Sequence, residues 1–167
     1  MLAIVIGVIL MTMAIPSFVN MVENNRLATK ANEFIADLNV ARMEAIKQGR
    51  NGYICRSTNG TSCASADDDW SVGWIVWIDA DSDNTLDSGE LVRSHEALTG
   101  VSFTGTDSGA GNIASMQYLP TGYRDISDGG GSTVTFALST DNCTGNNART
   151  ITIIPMGRAN VSPASCS

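Results

Sequence analysis

The densest group of residues able to do chemistry is Asp79–Glu90, DADSDNTLDSGE. Counted as a twelve-residue loop, it places Asp79, Asp81 and Asp83 at positions one, three and five. Thr85 at seven can offer its carbonyl, Asp87 stands at nine and Glu90 closes the loop at twelve. These are the ligand positions of an EF-hand calcium loop. A hard cation needs several oxygens, and five carboxylates this close repel one another without one. Two features depart from that pattern. Asn84 holds the place of the sharp-turn glycine, although asparagine tolerates positive φ better than most residues. The flanks read as strands and not as two helices. A modest calcium site and a solvated hairpin turn are the two readings of the segment.

Other candidates are sparser. His95 is the only histidine and falls inside an expected strand, where surface or packing roles outnumber ligand roles. Gly129-Gly130-Gly131-Ser132 has no following Lys-Ser/Thr and reads as a flexible turn, not a phosphate loop. Trp70, Trp74 and Trp77 offer either a ligand platform or, the stronger reading, the core and rim of one strand. No serine sits in a nucleophile-elbow pattern, so the expectation is that the chain is not an enzyme and holds no cofactor other than calcium. Cys55, Cys63, Cys143 and Cys166 form two local pairs without CxxC spacing, which disfavours zinc and redox motifs. Four cysteines allow three connectivities. In an exported head, Cys55–Cys63 and Cys143–Cys166 are favoured over crossed pairs or free thiols.

The elements that must hold these residues begin with one long helix. Met1–Val22 carries no charge and, at about 1.5 Å per residue, matches a bilayer's hydrocarbon core. A cleaved signal peptide fits poorly without a basic start, and a simple one-pass anchor fits better. From there Leu27, Ala31, Phe34, Ile35, Leu38, Ala41, Ala45 and Ile46 recur at three- and four-residue steps as one apolar stripe. Arg26, Lys30, Glu33, Asp37, Arg42, Glu44 and Lys47 are expected on the remaining surface. The helix should stop at Gly49.

Beyond it, expected strands are Gly52–Cys55, Trp70–Asp79, Leu91–Glu96, Val101–Thr104, Ala114–Leu119, Thr133–Leu138 and Thr150–Ile154. The loops are Arg56–Asp69, Gly105–Gly111 and Asp125–Ser132. Trp70–Asp79 is apolar on both faces and so should be covered on both sides, one of them by the helix. The fold class is α+β: a long N-terminal helix on antiparallel sheet. Residues 1–22 form the apolar half-helix, 23–50 the amphipathic half and 51–167 a β-rich head. The net charge is −7, and all of the acidic excess lies beyond Arg50, because residues 1–50 are slightly basic and the head is strongly acidic. That disfavours non-specific attraction to nucleic acid or anionic lipid.

Several stretches carry a family resemblance. Met1–Val19, with Gly7 and Pro16, looks like the start of a type IV pilin helix. Asn25-Arg26-Leu27, Ala31-Asn32-Glu33, Ala41–Lys47, Trp70–Asp79 and Pro155-Met156-Gly157-Arg158 resemble the GspH/FimT group of minor pilins and pseudopilins. The resemblance implies a pilin-like helix and head, anchored in the bacterial inner membrane with a periplasmic head and later transferred into a fibre. It implies other pilins and an inner-membrane assembly platform as partners, in a type IV pilus or a type II secretion pseudopilus. It places a cleavage glycine, an aromatic residue and a glutamate upstream of Met1. FimT-like relatives bind DNA through an arginine-bearing motif near the end of the chain. Here Arg149 and Arg158 match that region, Arg124 is a further candidate, and Asn160 stands where a second arginine would follow.

Overall fold

The structure, a computed structural model, describes residues 2–64, 69–126, 131–141 and 143–166, with side chains described from Met21 onward. Helix α1 runs unbroken over Leu2–Gln48. It ends as its sequence dictates: Gly49 takes φ +63°, and the Arg50 amide turns back onto the Ala45 carbonyl.

The strands are β1 (Asn51–Arg56), β2 (Trp74–Asp79), β3 (Leu91–His95), β4 (Val101–Asp107), β5 (Gly111–Asn112), β6 (Ser115–Tyr118), β7 (Val134–Thr140), β8 (Ala148–Ile153) and β9 (Ala159–Ala164). They form two antiparallel sheets, of order β3-β2-β1-β6 and β5-β4-β7-β8-β9. One core joins helix and sheets. Leu27, Ala31, Phe34, Leu38, Ala41 and Ala45 meet Ile54, Trp74, Val76 and Tyr118 of the first sheet, and Phe103, Phe136, Leu138 and Ile151 of the second. Phe34 is its centre, with edge contacts to Trp70, Trp74, Phe103 and Phe136 at centroid distances of 4.7–5.6 Å. Burial of such a side chain contributes roughly 1.5–3 kcal/mol.

The α+β class and the helix-on-sheet arrangement are those the sequence implied. Strand β2 is buried at every position, as its two apolar faces require. Trp74 and Val76 face the helix, while Ile75 and Trp77 join Cys55 in a smaller cluster covered by Tyr53 and Leu86.

Several expectations need correction. The strand starts at Trp74, because Trp70–Val72 is a 3-10 turn. Asp69 caps that turn through the Ser71 amide, and Gly73 leaves it at φ +105°, where a Cβ would lie 2.6 Å from the His95 carbonyl. Ile46 is half exposed and lies outside the buried stripe. Asp37 was assigned to the solvated face but is buried. Gly105 is no loop residue: β4 extends to Asp107, and Gly105 leaves room for the Phe136 and Trp70 rings. Strand β9 was not expected at all. The apolar run of Met1–Asn20, the acidic Asp67-Asp68 and Gly129-Gly130 were read from sequence and lie outside the residues or side chains described here.

Candidate functional site

The acidic hairpin between β2 and β3 is built by its own carboxylates. Asp79 is buried, and its Oδ1 accepts the amides of Ser82 (2.7 Å) and Asp83 (3.1 Å) while Oδ2 accepts that of Asn84 (3.2 Å). Glu90 Oε1 accepts the Ala80 amide at 2.6 Å and Oε2 the Asp87 amide at 2.9 Å. Five backbone donors that a tight loop leaves without ladder partners are thereby satisfied. Ser82 and Asn84 hold φ of 70° and 61°, and Asn84 Oδ1 accepts the Tyr53 hydroxyl at 2.7 Å. Arg50 reaches Ser82 Oγ at 2.7 Å, so the hairpin docks on the end of the helix.

Asp79, Asp81 and Asp83 can each bring one oxygen within 4.8 Å of the others. Among the described residues, that carboxylate group does not extend to Asp87 or Glu90. Partial loss of hydration, with the nearby charges of Asp83, Glu90 and Asp87, pushes the Asp81 carboxyl up against the opposing bond from the Asp83 amide. The Thr85 hydroxyl and amide hold Asp83 down. The trio has the hardness and spacing that a divalent cation uses. The end residues Asp79 and Glu90 spend their oxygens on the loop itself.

The arginines read as DNA contacts are not brought together. Arg149 is the second residue of β8, opposite Pro163, and its guanidinium donates to the Ala148 carbonyl and to Asn24 of the helix. Arg158 is exposed beside Ala159, at the other end of the β8–β9 hairpin. Arg124 is buried: Nη1 pairs with Asp107 Oδ2 at 2.8 Å, and Nη2 donates to the Gly131 carbonyl. Burial alone would raise the Asp107 carboxyl, but the Gly109 and Gly131 amides and Arg124 outweigh it and hold it below the usual range. The structure also joins Cys55 to Cys63 and Cys143 to Cys166, with Cα separations of 5.6 and 5.5 Å.

His95 packs its ring on Trp74 at 4.0 Å, and its Nε2 lies 3.4 Å from Glu33 on the helix. Trp70 and Trp74 are core, with their indole N–H groups on the Ile113 carbonyl and Asp37. Trp77 stacks under Tyr53 at 4.2 Å. None of the three offers a free ring face as a platform.

Sequence reasoning missed the role of Arg42. It lies half-buried, with Nε donating to the Gly122 carbonyl at 2.8 Å and Nη2 to the Met156 carbonyl at 3.0 Å. Gly157 sits against Gly122 and Arg42 at φ +76°. Two stretches of the resemblance more than a hundred residues apart, Ala41–Lys47 and Pro155–Arg158, therefore meet at one guanidinium. The signal was present in the motif; its partner was not readable from spacing.

Residues 30–157 match the model of the type II transport protein GspH family. The chain belongs to that family. Solved structures share its fold. The type IV minor pilin FimU of Pseudomonas aeruginosa (strain PAO1) superposes with a TM-score of 0.61 at 22% identity, over 86% of this chain and 92% of FimU. The minor pseudopilin EpsH of the Vibrio cholerae type 2 secretion system gives 0.54 at 9% identity, over 82% of this chain and 96% of EpsH. No curated protein sequence matches significantly. In this GspH-family chain, the Phe34 core joins the helix to both sheets, and the Arg42 clamp ties it to the connections at Gly122 and Met156.

Proposed function

We propose that the protein is a structural minor pilin or pseudopilin, assembling with other pilins into a type IV pilus or a type II secretion pseudopilus. The observation that carries this reading is the family match over residues 30–157, on a chain whose helix begins well before the head it supports. The helix is continuous from Leu2, and among the described side chains the first buried core residue is Leu27. Some 25 residues, or about 38 Å of helix, therefore precede the head core. The uncharged Met1–Val22 would hold the subunit in the inner membrane with its head in the periplasm, and would exchange lipid for neighbouring helices in a fibre. Among the described residues no helix is long and apolar enough to cross a membrane; the anchoring rests on the sequence of the first twenty.

The test is a deletion strain complemented with the full-length gene. Sheared fibres are probed for the protein, and twitching and type II secretion are scored. Recovery of the protein in the fibre, with one activity lost in the deletion strain and restored on complementation, supports the reading and separates pilus from secretion system. A protein found only in the soluble periplasm, with both activities intact, overturns it.

The alternative is a pilus-borne DNA receptor. Exposed Arg158 supports it; the separation of Arg149 from Arg158 and the burial of Arg124 weigh against it, because phosphate binding needs converging cations. Gel shifts with the head at several salt concentrations decide between the two. For the acidic hairpin, the Asp79–Asp81–Asp83 trio supports calcium and the five amide bonds support a plain loop. Calorimetric titration to about 10 mM calcium, above the range of extracellular modules, separates them. Heat abolished by Asp81→Asn/Glu90→Gln assigns the cation, and no heat assigns the loop.

A further inference from the structure

The edges of the two sheets are closed by different devices, with one exception. Strand β3 has a register shift opposite Val76 and Trp77 and carries the charge of Arg93. Strand β5 has only two residues, and β9 carries Pro163. Irregularity, charge, shortness and proline are the usual means of keeping a foreign strand off a sheet edge. Strand β6 is the remaining edge, and its Ser115-Met116-Gln117-Tyr118 has none of them.

The backbone groups that β6 turns outward follow from its pairing. The Arg56 amide donates to the Ala114 carbonyl at 3.1 Å. Bonded and non-bonded pairs alternate in an antiparallel ladder, so Met116 and Tyr118 turn their backbone groups to β1, while Ser115 and Gln117 turn theirs away. The Gln117 carbonyl accepts the Asp125 amide at 3.0 Å, beside the Tyr118–Arg124 bridge. The Ser115 N–H and C=O and the Gln117 N–H have no partner among the described residues. Both residues line a cavity of about 340 Å³ that Val134 and Asp107 of the second sheet also line. Ile113, Met116 and Ile126 add apolar wall. Arg124 lies in the same wall, only 5% exposed, and its Nε has no hydrogen-bond partner.

We propose that this groove binds an extended peptide segment of another protein, which adds to β6 as a further strand of the first sheet. An edge that offers N–H and C=O at alternate residues is complemented by a second peptide backbone. The charge of Arg124 is already met by Asp107 at 2.8 Å, so the acceptor suited to its Nε is neutral, a peptide carbonyl and not an anion. The apolar walls take every second side chain of an extended segment. The strongly acidic head favours uncharged or basic residues on either side of it. The volume is at the low end for ligand pockets, which suits a short segment and not a domain. The site is separate from the fibre reading: peptide binding is read on the purified protein, whereas fibre membership is read in cells.

The test uses the oxidised full chain in detergent and a phage-displayed library of random short peptides. Enriched sequences should alternate apolar and polar residues. When these peptides are synthesised with blocked ends, N-methylation of one alternate set of their amides should weaken binding by at least about tenfold, and of the other set little, because only one set faces β6. Gln117→Pro removes an outward N–H without touching a bond to β1, so the head should stay folded by circular dichroism and bind about tenfold more weakly. Ala110→Trp, at an exposed position on the rim, should block the groove. Binding that neither methylation pattern changes would make the groove a side-chain or small-molecule pocket and overturn strand addition. A library that enriches nothing beyond what the Ala110→Trp protein enriches would overturn it as well.

Discussion

The indole N–H of Trp74 donates to Asp37 Oδ2 at 2.8 Å, joining strand β2 to α1 through an otherwise apolar seam. The second oxygen of Asp37 holds Arg93 of β3 at 3.1 Å. One carboxylate on the helix therefore fastens two adjacent strands. Asp37→Ala leaves the buried indole without an acceptor and should cost roughly 2 kcal/mol. Trp74→Phe removes donor and acceptor need together, so in urea melts the double mutant should be less destabilised than the sum of the singles. Strict additivity would show that the bond contributes nothing.

Phe34 and Lys30 lie one turn apart on α1 and differ wholly in surroundings. Phe34→Ala should cost about 3–5 kcal/mol, and Phe34→Asp should prevent the head from folding. Lys30→Asp should change stability by less than about 0.5 kcal/mol. Equal melting temperatures for the two aspartate variants would mean that the core is not centred on Phe34.

The Asp107–Arg124 pair predicts acid sensitivity. Because the folded carboxyl titrates below its unfolded value of about 3.9, its contribution is present above that value and is lost as pH falls through the lower folded value. Asp107→Asn should lower stability at pH 7 by roughly 2–4 kcal/mol, and its stability should fall less between about pH 4 and 2 than that of the wild type. Parallel pH profiles for the two would rule out this pair as a source of acid lability.

Gly157 should not accept a side chain. Its φ of +76° is left-handed, and a Cβ would collide with the Gly122 carbonyl that Arg42 binds. Gly157→Ala should destabilise by more than about 1 kcal/mol. The same change at Gly145, which is also left-handed but open to solvent, should cost less.

The late disulfide joins cysteines 23 positions apart in sequence and holds the end of β9. Its loss in a Cys143→Ser/Cys166→Ser variant should cost about 3 kcal/mol. Non-reducing peptide mapping should find Cys143 joined to Cys166 and Cys55 to Cys63. Crossed pairs would refute both.

What the sequence determined by itself is what short-range periodicity encodes. Leu27, Ala31, Phe34, Leu38, Ala41 and Ala45 announce a buried helix face because helical spacing is local, and Gly49 ends the helix for a reason that involves only its own φ. Trp74–Asp79 is legible as a strand because β-branched and aromatic residues follow one another on both faces. Other features depend on partners distant in sequence, and only the tertiary structure decided them. Asp37 looks like one more charged helix residue until Trp74 and Arg93 arrive from β2 and β3. Arg124 looks like a free cation until Asp107 folds against it. Trp70 looks like the start of the strand until the turn capped by Asp69 sets its ring against Phe34 and Phe136. Strand β9, with its proline and small polar residues, has little intrinsic β-propensity and exists because β8 supplies its hydrogen bonds and Cys143 holds its end. The division of the strands into two sheets follows the same logic: it is set by how both pack on one helix, and no window of neighbouring residues contains that information.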